Sequence, residues 1–284
     1  MNTPVMRAIW LIESHLETDP QLELGRIADH AGVSRHHLVR AFGASTGHSV
    51  MRYVRNRRLS KAAIELCKEG ETHRDILGIA LGAGYNSHEA FTRAFRNYFG
   101  ITPDQLRTRK CIELLKLQEA ITISDDLIVD LTPAGIEDHG ALTIAGMSER
   151  YTFETNHAIP SLWQRFIPHI SHIQGQIGGN IYGACYNSDG EGSFDYICGV
   201  AVSSVSDLPG DFKTVKLRAG RYVVFRHIGH ISGIRATRNT IWNKWLPESG
   251  YEAAAAPDFE RYSANFNPNT DCGHVDILIP LAKI

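Results

Sequence analysis

Arg40 and Arg93 hold the same place in two copies of one short pattern. One copy runs Ile27-Ala28, Ala31-Gly32-Val33-Ser34, Leu38-Val39-Arg40-Ala41-Phe42 and Gly47. The other runs Ile79-Ala80, Ala83-Gly84-Tyr85, Ser87, Phe91-Thr92-Arg93-Ala94-Phe95 and Gly100. From the serine onward the copies lie 53 residues apart. A guanidinium donates in a planar pair, so an arginine held on an open helix face can read guanine O6 and N7. Ala28 and Ala80 let two helices touch at a steep crossing, and Gly32 and Gly84 permit the positive φ of the turn between them. Leu38 with Phe42, and Phe91 with Phe95, turn one stripe of each second helix inward. The opposite stripe carries Arg35, His36, Val39 and Arg40 in the first copy. In the second it carries His88, Glu89, Thr92 and Arg93, opening at Ser87. The spacing predicts two helix-turn-helix units that each place a helix in a major groove.

Other reactive patterns are weaker. Gly43-Ala44-Ser45-Thr46-Gly47 has the spacing of a nucleophile elbow, but it follows a helix and not a strand, so no catalytic serine is expected. The glycines at 175, 178, 179 and 183 have no strand–helix phosphate loop around them. His169 with His172, and His227 with His230, lack the carboxylate or thiolate that would complete a zinc set. Neither a metal nor a cofactor is expected.

The elements that position these residues follow from periodicity. Three- and four-residue apolar steps predict helices at 4–17, 22–30, 34–44, 48–69, 73–82, 87–98 and 102–109. Ser34, Ser87 and Thr102 are expected caps, the last with Pro103 behind it. The helix at 48–69 joins the two units and carries Arg52, Arg55, Arg57, Arg58 and Lys61. Such a cluster is expected on phosphates, where it adds affinity without sequence information. Two units on one connecting helix would read groove segments roughly 34 Å apart. Residues from about 5 to 109 resemble the DNA-binding domain of the AraC/XylS family. The resemblance is carried by Gly84-Tyr85-Asn86-Ser87, Phe91 through Gly100, Thr102-Pro103, Leu106-Arg107, Gly47-His48-Ser49 and Tyr53-Val54-Arg55-Arg57. It implies that Arg40 and Arg93 contact bases or backbone. His36 and Val39 stand where some relatives carry Trp and Gln, and Gly78 and Gly82 depart from helix formers.

Beyond Asp126 the pattern changes to short β-type runs. Strands are predicted at 126–132, 141–153, 180–186, 194–204, 212–218, 220–229, 258–266 and 274–282, with helices at 159–174 and 232–247. Leu162-Trp163-Gln164-Arg165-Phe166-Ile167-Pro168 repeats as Ile241-Trp242-Asn243-Lys244-Trp245-Leu246-Pro247, 79 residues on. The half therefore reads as two strand–helix–strand–strand modules about a pseudo-twofold, with a cleft between them. It resembles the GyrI-like effector-binding domain in Gly220-Arg221-Tyr222, Trp242 through Pro247, Gly250-Tyr251, Pro257-Asp258-Phe259-Glu260-Arg261-Tyr262 and Asp276 through Pro280. That resemblance implies a ligand carboxylate at Glu260. Aromatic faces attract cations and offer flat apolar contact, and Trp163, Tyr182, Tyr222 and Tyr262 are the candidates.

Composition agrees with this division. Residues 1–110 carry 16 basic and 11 acidic side chains, and residues 111–284 carry 13 and 20. A basic half suits DNA and an acidic half a neutral or cationic ligand. Five widely spaced cysteines, at 67, 111, 185, 198 and 272, fit a reducing compartment, and no secretory or membrane-spanning segment is visible. The expected organisation is an all-α DNA-binding domain at 1–110, a linker at 111–123 and an α+β GyrI-like domain at 124–284. The expected function is that of a cytoplasmic regulator that reads specific double-stranded DNA, works with RNA polymerase and answers to a small hydrophobic or cationic ligand. Ligand binding near Glu260 would change how Arg40 and Arg93 are presented. Oligomeric state stays open. Two other readings are hydrolysis of a small electrophile by the second domain and ligand-independent architectural binding of DNA.

Overall fold

The computed structural model describes residues 3–68, 75–123, 127–267 and 273–282. Its contacts divide into two compact units. One comprises residues up to 38 together with 49–123; the other joins residues 39–48 to the chain beyond 123.

The first unit is helical. Its elements are α1 (Pro4–His15), α2 (Leu24–Ala31), the first residues of α3 (Arg35–Thr46), α4 (Val50–Cys67), α5 (Ile76–Gly82), α6 (His88–Phe99) and α7 (Pro103–Arg109). The predicted punctuation holds. Gly32 and Gly84 take φ +70° and +82° at the two turns. Ser34 Oγ accepts from His37 N and Ser87 Oγ from Ala90 N, so both second helices are capped in the same way. Thr102 and Gln105 complete a capping box on α7. Phe91 and Phe95 pack with Leu59, Ala63, Leu66, Ile79 and Leu106 in one core. The expected linker is strapped to α4: Gln118 N donates to Ser60 Oγ at 2.8 Å, and Ile121 N to the Tyr53 hydroxyl at 3.1 Å. Of the helix expected at 73–82, residues 73 and 74 fall outside those described, as does Cys272.

The second unit is built on one eight-stranded antiparallel sheet. Its strands are β1 (Gly135–His139), β2 (Leu142–Thr152), β3 (Gln176–Tyr186), β4 (Ser193–Val202), β5 (Lys213–Leu217), β6 (Gly220–His227), β7 (Phe259–Tyr262) and β8 (Val275–Pro280). Helix α8 (Ile159–Phe166) follows β2, and α9 (Ile234–Thr240) follows β6. A π-helical turn, Ile241–Trp245, leads from α9 into α10 (Leu246–Ser249). The sheet order β1-β6-β8-β7-β3-β4-β2-β5 is symmetric about the β7–β3 seam, as two repeated modules require. Each module gives its first strand away: β1 pairs with β6, and β5 with β2.

Several boundaries differ from expectation: β3 begins at Gln176 and not at 180, β7 ends at Tyr262 and not at 266, and two more shifts lie beside prolines. Residues 127–132 form no strand, and the edge strand lies at 135–139, where Ala134 N first reaches Val224 O. Pro133 cannot donate a ladder bond, so pairing starts after it. The helix expected at 159–174 ends at Phe166, and Pro168 lies in the 3₁₀ turn that follows. Among the described residues no helix is long and apolar enough to cross a membrane.

A methyl group on Gly84 would meet Pro20 O at 2.7 Å, whereas one on Gly100, also at positive φ, would meet nothing within 4 Å. Gly84→Ala should therefore cost about 1–3 kcal/mol and Gly100→Ala about 1. Urea unfolding of the two variants checks the order.

Candidate functional site

The two expected DNA-reading faces differ in accessibility. On α6, His88, Glu89 and Arg93 are exposed, and Ser87 and Thr92 are half-buried. Arg52 and Arg55 on α4 are exposed as well. Three further members of that basic cluster make contacts within their own unit. Arg57 is paired with Glu13 at 2.6 Å, Arg58 donates to Asp19 O at 2.7 Å, and Lys61 reaches Glu17 at 2.7 Å. On α3, Arg35 is exposed and His36 half-buried, but Val39 and Arg40 are buried. The open stripe expected there is closed at its centre.

The closing groups belong to the sheet unit, with which residues 39–48 are packed. Arg40 forms an ion pair with Asp258, and its guanidinium lies 5.8 Å from the Trp242 ring centre. One helical turn on, Asn243 Nδ2 donates to Ala41 O and Ser45 Oγ, and Arg235 donates to Ala44 O and Ser45 O. Gly43 lies so close to Phe153 that a Cβ there would overlap the ring.

Asp258 also accepts from Arg238 Nη1 at 2.8 Å, and Arg238 turns its other nitrogens onto Glu260 Oε1 at 2.9 and 3.3 Å. Glu260 Oε2 takes one hydrogen bond from the Tyr196 hydroxyl and one from the Tyr262 hydroxyl, both at 2.8 Å. Trp163 Nε1 donates to the Tyr196 oxygen at 3.1 Å, and its ring stands edge-on to Tyr262 with centres 5.0 Å apart. A carboxylate offers about four acceptor sites. All four on Glu260 are filled, which is how so buried a charge is tolerated. Burial disfavours the Arg238 charge, but Glu260 and Asp258 together drive its pKa well above the ordinary value. Burial first, and Glu260 second, push the Tyr196 and Tyr262 phenols well above theirs, so both remain donors.

Sheet register explains who meets whom. Asp258, which immediately precedes β7, alternates with Glu260 and Tyr262 and shares a face with them. Gly183 of β3 lies directly opposite Glu260. A Cβ at Gly183 would collide with the Tyr196 hydroxyl and come within 2.7 Å of Glu260 Oε2, so the glycine makes the space. Of the expected ligand residues, Glu260, Trp163 and Tyr262 come together. Tyr182 and Tyr222 do not. Tyr182 is offset by one from Gly183 and so projects from the opposite face, where both tyrosines pack with Phe259, Val224 and Leu278. Sequence reasoning missed Tyr196, Arg238 and Asp258. Asp258 was visible in the alternation with Glu260; Tyr196 and Arg238 become partners only through strand order and the placement of α9.

Residues 135–282 match the family model of the GyrI-like small molecule binding domain, and residues 27–109 match that of a helix-turn-helix domain. The chain belongs to the GyrI-like family. Its helix-turn-helix half is of the AraC type, and the GyrI-like domain follows it in the chain. The chain is similar to the transcriptional regulator Rob of Salmonella typhimurium, with 28% identity over 97% of this chain and 96% of that one. It shows 28% identity to the right origin-binding protein of Escherichia coli K12, over 89% and 88%. The multiple antibiotic resistance protein MarA of Salmonella typhimurium is 36% identical over 34% of this chain and 72% of its own.

Glu260→Gln removes the charge that faces Arg238. It should destabilise the GyrI-like domain by about 3–5 kcal/mol, as loss of one partner from a buried pair does. Tyr262→Phe, which removes one neutral donor, should cost only about 1–2 kcal/mol. Equal effects in denaturant unfolding would contradict this ranking.

Proposed function

We propose that the chain is a transcription regulator that reads specific DNA with α6 and, when its face is open, α3, and that its GyrI-like domain senses a small molecule at Glu260. The observation that carries the reading is the repeat itself. Two helices begin with the same serine cap, follow the same left-handed glycine turn and place Arg40 and Arg93 at the same position. Within that reading Arg35, His36 and Val39 accompany Arg40, and His88, Glu89 and Thr92 accompany Arg93. Arg52 and Arg55 take phosphates.

The ligand class follows from charge. A molecule that engages Glu260 must displace Arg238 or one of the two tyrosines. A cation with an apolar body can replace the guanidinium and lie against Trp163 and Tyr262. The fused helix-turn-helix half supports sensing over hydrolysis. Such a regulator works in the cytoplasm, where the chromosome is.

The test is selection of bound fragments from a genomic DNA pool, followed by affinity measurements on the enriched site. Arg93→Ala should weaken the selected site by about 1–3 kcal/mol and relax preference at one base pair. Arg55→Ala should weaken all sequences alike and lower the salt slope by about one. Uniform weakening by Arg93→Ala would assign that residue to phosphate, and retention of all fragments alike would favour architectural binding.

A further inference from the structure

Arg40 is the residue that the first helix-turn-helix unit offers to DNA, and in this structure it is already spent. Its side chain is 7% exposed, and that of its partner Asp258 is 2% exposed. Asp258 divides its oxygens: Oδ1 takes Arg40 and Oδ2 takes Arg238. Arg238 in turn holds Glu260. Cation and anion thus alternate through four side chains, three of them buried and Arg238 17% exposed, from the recognition helix to the carboxylate of the sensing site. The four charges sum to zero while Arg40 is in place. Its departure leaves Asp258, Arg238 and Glu260 with one uncompensated negative charge, in a place where such a charge is costly.

We propose that Asp258 is an internal competitor for DNA: it holds Arg40 and with it the second half of α3, and Arg238 sets how tightly. The proposal rests on the regulator reading above. The carboxylate offers Arg40 what a phosphate or a guanine edge would offer, an accepting group for a planar guanidinium. Arg40 cannot satisfy both, so DNA and Asp258 exclude each other at this residue. Arg238 tunes the contest because it shares Asp258. When Arg238 leans on Asp258, the pull on Arg40 falls; when Arg238 is absent, the pull of Asp258 on Arg40 rises. Any event at Glu260 that frees Arg238 to serve Asp258 more fully therefore releases α3. The other hydrogen bonds of that half-helix open with it: Ser45 Oγ donates to Asn239 Oδ1, Asn243 donates to Ala41 O and Ser45 Oγ, and the Arg235 guanidinium donates to Ala44 O and Ser45 O.

The signs separate this competition from a merely structural role. In the full chain, Asp258→Asn should bind the selected DNA about tenfold more tightly, within the usual range of coupling between sites. Arg238→Gln should bind it more weakly than the parent. Damage to folding would move both variants in the same direction, and that result overturns the proposal. A further variant does not depend on removing a buried charge. Ser45→Cys with Asn239→Cys puts one thiol at the position of Ser45 Oγ and the other at that of Asn239 Cγ, the atom bonded to the Oδ1 that now lies 2.7 Å from Ser45 Oγ. Bridged by oxidation, this variant should lose at least tenfold in affinity for the selected site and recover it on reduction. Equal affinity in the bridged and reduced forms also overturns the proposal. Should Asp258→Asn match the parent on a site that the parent selects, the competition falls and the regulator stands. Should neither the parent nor any variant retain DNA, the regulator reading falls and takes the competition with it.

Discussion

Two arginines and two carboxylates alternate through the buried centre of the sheet unit, and each member is held by its neighbours. Arg40 neutralises one oxygen of Asp258, Arg238 the other, and Arg238 reaches across to Glu260. In a region of low dielectric, withdrawal of any one member leaves the other three with an uncompensated charge. The packing around them follows from that requirement. Tyr196 and Tyr262 close the far side of Glu260, Trp163 supports Tyr196, and Trp242 lies beside Arg40.

Backbone detail makes room for this chain of charges. Gly183 faces Glu260 across the seam between the two modules, where any side chain would strike the Tyr196 hydroxyl. Gly146 and Gly199 oppose each other on β2 and β4, and a Cβ on either would meet the other strand's backbone. The pseudo-twofold therefore does more than duplicate a fold unit. It brings β7, with its acidic edge, against β3, which has a glycine at the matching level.

Much of this was legible in the sequence. The helix-turn-helix repeat reads directly, because a turn glycine, a cap serine and two inward apolar residues each have a local steric reason. So does the modular repeat, through Trp163 and Trp242 at equal positions. Boundaries near prolines were less so: Pro133 moved the edge strand, and Pro168 shortened a helix. The sensing site was half legible. Glu260 and Tyr262 share a strand and its period of two, so their union needs no tertiary information. Tyr182 and Tyr222 were misplaced because the phase of their strands relative to β7 depends on register, and a one-residue offset sends a side chain to the other face. Arg238 lies on a helix whose inward face is set only by tertiary packing. The pairing of Arg40 with Asp258 spans 218 residues and has no local signature.

Everything proposed for α3 requires that Arg40 and Asp258 be energetically coupled. A double-mutant cycle with Arg40→Met and Asp258→Asn, read by denaturant unfolding of the full chain, measures that coupling. We expect the double variant to be more stable than the sum of the two single effects predicts, with an interaction energy of about 2 kcal/mol, as for contacting buried partners. Strict additivity, to within about 0.3 kcal/mol, would show that the two charges ignore each other and would contradict the coupling.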